Sequence, residues 1–247
     1  MRRLPGKFER SANDVQARLL YEYGRWNVVT RRAVLNAVAA GQGTTDIAAI
    51  INARVADLRG PMLLTLRAGI ARAALLGLGG PLAKYRDNPI VYSLISQRLA
   101  EVEKSLDGAL LPSMRDRLMS DLTERAVLAD ASAVKEVLDS QAARVAPYAG
   151  SSWAMTFETQ TTAVQAEDAA RRANGEAPVP VEWSLDERAQ HCRPDPTRGT
   201  FGCAELEGVY PSVGALPTWP AGNVSCMGNC RCHLRLDFGR GFERIVA

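Results

Sequence analysis

Apolar residues recur along the first two thirds of the chain at steps of three and four, the period of one helix face. Val15, Leu19, Tyr23, Trp26 and Val29 form such a stripe and predict a helix from Ser11 to about Ala40. Ser11 followed by Asp14 resembles a capping box at its start, and Gly41-Gln42-Gly43 supplies the stop. Thr44 or Thr45 can cap a second helix. There Ile47, Ile50, Ile51, Val55, Leu58, Met62 and Leu66 keep the period across Gly60-Pro61, where the proline predicts a kink. Breaks follow at Gly77 to Pro81 and at Asp87-Asn88-Pro89. Val91, Leu94, Ile95, Leu99, Val102 and Leu106 then mark a helix between Pro89 and Gly108. Met114, Leu118, Leu122 and Ala126 mark the next, and Val134, Val137, Leu138 and Ala142 another. A last helical stretch is expected from about Ser151 to Arg172, closed by Asn174-Gly175. The plain role of every stripe is helix-packing core, and no fixed-period repeat is present.

Past Gly175 the pattern changes. Ala177-Pro178-Val179-Pro180 reads as an extended linker, because each proline disfavours helix in the residue before it. From Val181 onward short apolar runs sit among glycines and prolines, and Val209-Tyr210 and His233-Leu234-Arg235-Leu236 are predicted as short strands. Ser184-Leu185-Asp186-Glu187 reads as a capping box opening a short helix that ends at His191 and Cys192. About seventy residues of this kind bury too little to hold a fold alone, so a covalent or metal staple is expected. The expected fold is mainly α, with a helical region over 1–110 and a second over 111–176. A small Cys-rich, loop-rich α+β module of zinc-knuckle type follows over 177–247.

Composition narrows the class. Of 247 residues, 47% are hydrophobic and 23% charged, which is globular and excludes wholesale disorder. The formal net charge of +3 equals that of the first ten residues, where Arg2, Arg3, Lys7 and Arg10 face Glu9. The remainder is neutral and offers no broad electrostatic footprint for DNA or RNA, leaving a basic N-terminal arm. The opening MRRLPGKFERSANDVQ has no apolar segment after its positive start, which argues against a secretory signal. Arg67 and Arg72 interrupt the most hydrophobic stretch, from Pro61 to Leu82, which argues against a membrane span. The expectation is a soluble protein made in a reducing cytoplasm.

All five cysteines, Cys192, Cys203, Cys226, Cys230 and Cys232, fall in the C-terminal module, and both histidines adjoin them: His191 precedes Cys192 and His233 follows Cys232. Structural zinc needs four soft or borderline ligands converging tetrahedrally, and these residue types supply them. In a strand, Cys230 and Cys232 would share a face while Arg231 points away. The favoured set is Cys192, Cys203, Cys226 and Cys230, with Cys232 the first substitute and His191 a further candidate. A disulfide framework is the alternative, although the odd count and the absence of an export signal weigh against it. Isolated buried thiols are the third reading.

Catalytic signatures are not found. The helical zinc-protease motif, the deaminase motif, a phosphate loop and a nucleophile elbow are absent. Cys230-Arg231-Cys232-His233 falls one residue short of a haem-attachment motif. Glu187 and His191 fit a solvated helix pair better than an acid/base pair. The expectation is a protein that is not an enzyme.

The run from Trp183 through Asp186, Arg188, His191 and Cys192, then Leu216-Pro217, then Cys226-Met227-Gly228-Asn229-Cys230-Arg231-Cys232, resembles the head morphogenesis (minor capsid) family of tailed phages, the Mu type. Members commonly show a tryptophan, an Asp-x-Arg, a first Cys pair or Cys/His, and an Asn-Cys-Arg-Cys ending. Thr156-Phe157-Glu158-Thr159 is similar to the polar helix before the family's knuckle. The likeness covers about Ser151 to Leu236, and Asn229 to Cys232 is its most specific part. Cys192 and Cys203 lie farther apart than the family's first cysteines often do, and Cys226 stands four before Cys230 where a histidine three before is common.

The resemblance implies a low-copy protein of the capsid interior, bound to the portal or the major capsid protein and present in the bacterial cytoplasm during assembly. It further implies a role in capsid assembly and in DNA packaging or ejection. The apolar helix faces would supply interface as well as core, so oligomers in the virion are expected. The alternative is a nucleic-acid-binding zinc module touching packaged DNA through the basic arm and Arg188, Arg193, Arg198, Arg231 and Arg235. Asp186, Glu187, Asp195, Glu205, Glu207 and Asp237 offset those arginines.

Overall fold

The computed structural model describes residues 7–78, 89–126, 131–185, 193–220, 224–225 and 232–236. It is mainly helical, with a small antiparallel sheet of three strands. The helices are α1 (Lys7–Ala39), α2 (Thr44–Gly77), α3 (Pro89–Ser105), α4 (Leu111–Ala126), α5 (Ala131–Ser140) and α6 (Ala142–Ala173). The strands are β1 (Val181–Ser184), β2 (Gly208–Tyr210) and β3 (His233–Leu236). Among the described residues no helix is long and apolar enough to cross a membrane.

Two glycine stops work as the sequence suggests. Gly41 and Gly175 take φ of 72° and 69°, a region that costs glycine nothing. At the first, Gly41 N–H donates to the Val38 carbonyl and Gln42 N–H to that of Ala37. At the second, Gly175 N–H donates to the Arg172 carbonyl and Glu176 N–H to that of Arg171. Both are Schellman closures, which satisfy carbonyls the helix end would otherwise strand. Asp46 folds back from the first turn of α2 to accept the Gly43 N–H at 3.3 Å.

Elsewhere the elements differ from the sequence pattern. Val29 is 50% exposed, and Thr30 takes the buried place at 0%. Four residues separate Thr30 from Trp26, and a helix that keeps 3.6 residues per turn brings that position round to the core. Helix α2 runs through Pro61 as one element. The predicted gap before Ser151 is filled: α6 starts at Ala142 and carries Pro147 inside it. Gln141 is the break instead, its carbonyl accepting the N–H groups of Arg144 and Val145. Helices α3 and α4 are joined by a π-helical turn, Leu106–Leu110, in which Leu111 N–H reaches back to the Leu106 carbonyl. The wide turn falls where Pro112 withholds the N–H that Gly108 would accept. Leu106, Leu110, Leu111 and Met114 stay buried across it.

The chain divides into two compact units. One comprises residues 15–67 and 99–152. Its buried side chains include Leu19, Tyr23 and Trp26 of α1, Ile51, Leu58 and Met62 of α2, Met114 and Leu118 of α4, and Val137 and Leu138 of α5. Polar ties cross this apolar interior: the Tyr23 hydroxyl donates to the Leu138 carbonyl, Trp26 Nε1 to the Arg54 carbonyl, and Asn27 Nδ2 to Asp139 at 3.0 Å. Each gives a buried donor the partner that desolvation demands. The other unit comprises 1–14, 68–98 and 153–247. In it the end of α2, the start of α3 and α6 meet through Ala74, Leu78, Leu94 and Ala163.

Candidate functional site

The C-terminal module is built on the β2-β1-β3 sheet. Strand β1 reads Val-Glu-Trp-Ser and alternates buried and half-buried positions, as a strand with one covered face must. It pairs Val181 with Tyr210 on one side and Leu236 on the other, and Trp183 with Gly208 and Leu234. Ser184, expected to cap a helix, ends β1 opposite His233. The short helix expected after it lies outside the described residues.

Val181, Trp183, Leu234 and Leu236 form the inner face and pack with Cys203, Leu206, Val213, Val224, Cys232 and Val164 of α6. Trp183 is wholly buried, and its indole N–H has no partner among the described residues. On the outer face Glu182 and Arg235 lie opposite each other and pair at 2.9 Å. That cross-strand pair fixes register as well as neutralising both charges.

The loops are sewn to the sheet by short-range polar contacts. Asp195 and Thr200 form an isolated bridge around a turn that uses Gly199 at φ 62°. The Thr197 hydroxyl and N–H, with the Arg198 N–H and charge, hold the Asp195 carboxyl below its ordinary range. Phe201 bridges Val224, Ser225 N–H donates to the Phe201 carbonyl at 3.0 Å, and the Ser225 and Thr200 hydroxyls meet at 2.7 Å. These contacts tie the segment leading to Cys203 to the segment leading to Cys226.

Helix α6 supports the module from below. Gln160 is buried, and its Oε1 accepts the Leu234 N–H of edge strand β3 at 3.0 Å. A helix side chain thus does what a fourth strand would do for a donor that cannot reach water. Two nearby threonines are locally satisfied: Thr159 donates to the Met155 carbonyl and Thr162 to that of Glu158, each at 2.8 Å. Gln160 is the residue that sequence reasoning misses, since nothing in a polar helical run distinguishes it from its neighbours. Strand β1 was legible in its Val-Glu-Trp-Ser alternation, but the capping-box pattern starting at Ser184 obscured it.

Of the sequence-predicted site residues, the structure brings Trp183, Cys203 and Cys232 into one apolar core, where both cysteines are buried. Cys192, Cys226, Cys230 and His191 lie outside the described residues, as do Asp186, Arg188, Asn229 and Arg231. Among the described residues no cluster of three or more His, Cys, Asp or Glu side chains could hold a metal ion. Cys203, of the favoured ligand set, and Cys232, its first substitute, are the expected thiol ligands that lie among the described residues. Comparison of the chain with protein-family models, with curated proteins and with solved structures finds no match.

Proposed function

We propose that the chain is a minor head protein of the tailed-phage head morphogenesis type, a structural component and not an enzyme. It sits at low copy in the capsid interior, docks on the portal or major capsid protein, and assists assembly and DNA packaging or ejection. The observation that carries this reading is the coupling of a polar helix to a cysteine-bearing module. Gln160, in the helix similar to the family's, holds β3 directly beside Cys232, while Trp183 fills the module's core. Glu182 and Arg235, Asp195 and Thr200, and Phe201 and Ser225 are tied to one another within the module, which suits a docking knob better than a reaction centre.

In this proposal zinc staples the module through Cys192, Cys203, Cys226 and Cys230, with Cys232 or His191 as substitutes. Metal binding to such a site supplies on the order of 10 kcal/mol of folding free energy, enough to order a piece with so small a core. The nucleic-acid reading draws less support, because Arg235 and Arg198 are engaged with Glu182 and Asp195. Cryo-electron microscopy of assembled heads tests the main reading: density for the chain at the inner face of the portal vertex is expected. Its absence from both immature and mature heads refutes the proposal.

A further inference from the structure

Helix α1 carries a second apolar face. Val15, Leu19, Tyr23, Trp26, Thr30 and Val34 are buried on one side. On the opposite side Ala17, Tyr21, Gly24, Val28 and Leu35 recur at steps of four, three, four and seven, with Arg31 in the vacant position. That is a heptad seam about 27 Å long at 1.5 Å per residue. Tyr21 and Val28 stand 59% and 52% exposed. A Cβ built on Gly24 would meet nothing within 4 Å, so the middle of the seam is an open hole for a partner's knob.

One border of the seam is a row of arginines. Arg18, Arg25 and Arg32 follow at seven-residue steps, and the Arg25 guanidinium lies 5.9 Å over the Tyr21 ring. Between Val15 and Ala40 the chain has four arginines and a single acid, Glu22. The Glu22 side chain is only 12% exposed and lies 3.8 and 3.7 Å from Arg18 and Arg25. The exterior of this helix is therefore apolar along its centre and positive along its edge, although the chain as a whole is nearly neutral.

We propose that the outward face of α1 docks an amphipathic helix of another protein whose flanking positions are acidic. A second copy of this chain is a poor occupant: antiparallel pairing of two such seams sets one arginine row against the other, and parallel pairing provides no acids opposite it. Small residues at Ala17 and Gly24 accept large apolar knobs, and acids beside those knobs reach Arg18, Arg25 and Arg32. The inference rests on α1 alone and is independent of the minor head reading.

The test uses the full chain and two synthetic amphipathic helical peptides with the same leucine seam, one flanked by glutamates and one by lysines. Fluorescence anisotropy should show saturable binding of the glutamate peptide, at least about tenfold tighter than the lysine peptide at low salt, with the gap closing as salt rises. Gly24→Glu, which fills the open hole, should weaken the glutamate peptide about tenfold or more while the helical circular dichroism is retained. Arg32→Glu should narrow the preference between the peptides. Equal binding of both peptides, or binding of neither, overturns the proposal. So does self-association that Gly24→Glu abolishes, which would make the occupant a second copy. Binding to anionic phosphatidylserine vesicles without any preference between the peptides would equally overturn it in favour of a lipid surface.

Discussion

Substituting Gly77 by alanine tests how α2 and α6 are fitted together. Gly77 is the last residue of α2, and a Cβ placed there would sit 2.6 Å from the Gln160 carbonyl oxygen and 3.2 Å from its Cγ. The obstacle is backbone inside a helix, which cannot swing away as a side-chain tip can. In isolation alanine would gain up to about 1 kcal/mol over glycine in a helix. Overpacking of this kind costs about 1–3 kcal/mol. The displaced residue is also the one whose Oε1 holds the buried Leu234 N–H, and stranding that donor costs about 1–3 kcal/mol more if the bond is lost. The expected net loss is about 1–3 kcal/mol, or about 2–4 °C of Tm for each kcal/mol in a chain of this size. Urea denaturation followed by far-ultraviolet circular dichroism measures it. Gly24→Ala is the control, because a Cβ there meets nothing and the helix should gain about 0.5–1 kcal/mol. A Gly77→Ala protein as stable as the Gly24→Ala protein would refute the claim that close backbone approach requires glycine at 77.

Tyr23→Phe should cost about 1 kcal/mol by removing the donor to the Leu138 carbonyl. Tyr148→Phe should cost nothing by equilibrium denaturation, since the buried Tyr148 hydroxyl has no partner among the described residues. Burial pushes both tyrosines up from 10.0 to about 12, with the Asn27 hydrogen bond opposing it at Tyr23 and the Asp107 charge adding to it at Tyr148. A raised folded-state pKa means the stabilisation is complete below pH 10 and is lost as pH climbs toward 12. Alkaline unfolding in that window, tracked by tyrosinate absorbance, should therefore begin at higher pH in Tyr148→Phe than in wild type. Trp183→Ala should cost about 3–5 kcal/mol, because it empties the largest buried position of the C-terminal module. Cys203 and Cys232 should resist a thiol reagent until the protein is unfolded, and immediate reaction of every thiol in the native protein would contradict their burial. Cys230→Ser should lower bound zinc in elemental analysis while sparing most of the helical signal; equal zinc in wild type and variant, or none in either, rejects the proposed staple.

The helical elements were legible in the chain because their evidence is local. Leu19, Tyr23 and Trp26, or Ile47, Ile51, Val55 and Leu58, report a period that requires no partner to be named. The stops at Gly41 and Asn174-Gly175 were equally plain, since a positive φ and a Schellman closure involve only neighbours in sequence. Local signals misled where tertiary packing overrode them. The apolar pattern ends one helix at Gly108 and starts the last only at about Ser151, yet a π turn bridges Leu106–Leu110 and α6 runs from Ala142 through Pro147, because the buried faces on either side are worth more than one lost hydrogen bond.

Other features depended on residues far apart in the chain. That β1 is the central strand, that Gln160 completes the edge of β3, that Gly77 admits the backbone of α6, and that Cys203 shares a core with Cys232 are all long-range facts. The division into two units is of the same kind, for each draws on separate stretches of sequence. Periodicity tells which side of a helix is apolar but not which apolar side will be covered. On α1 the buried stripe and the outward seam look alike in sequence, and only the packed neighbours decide between them.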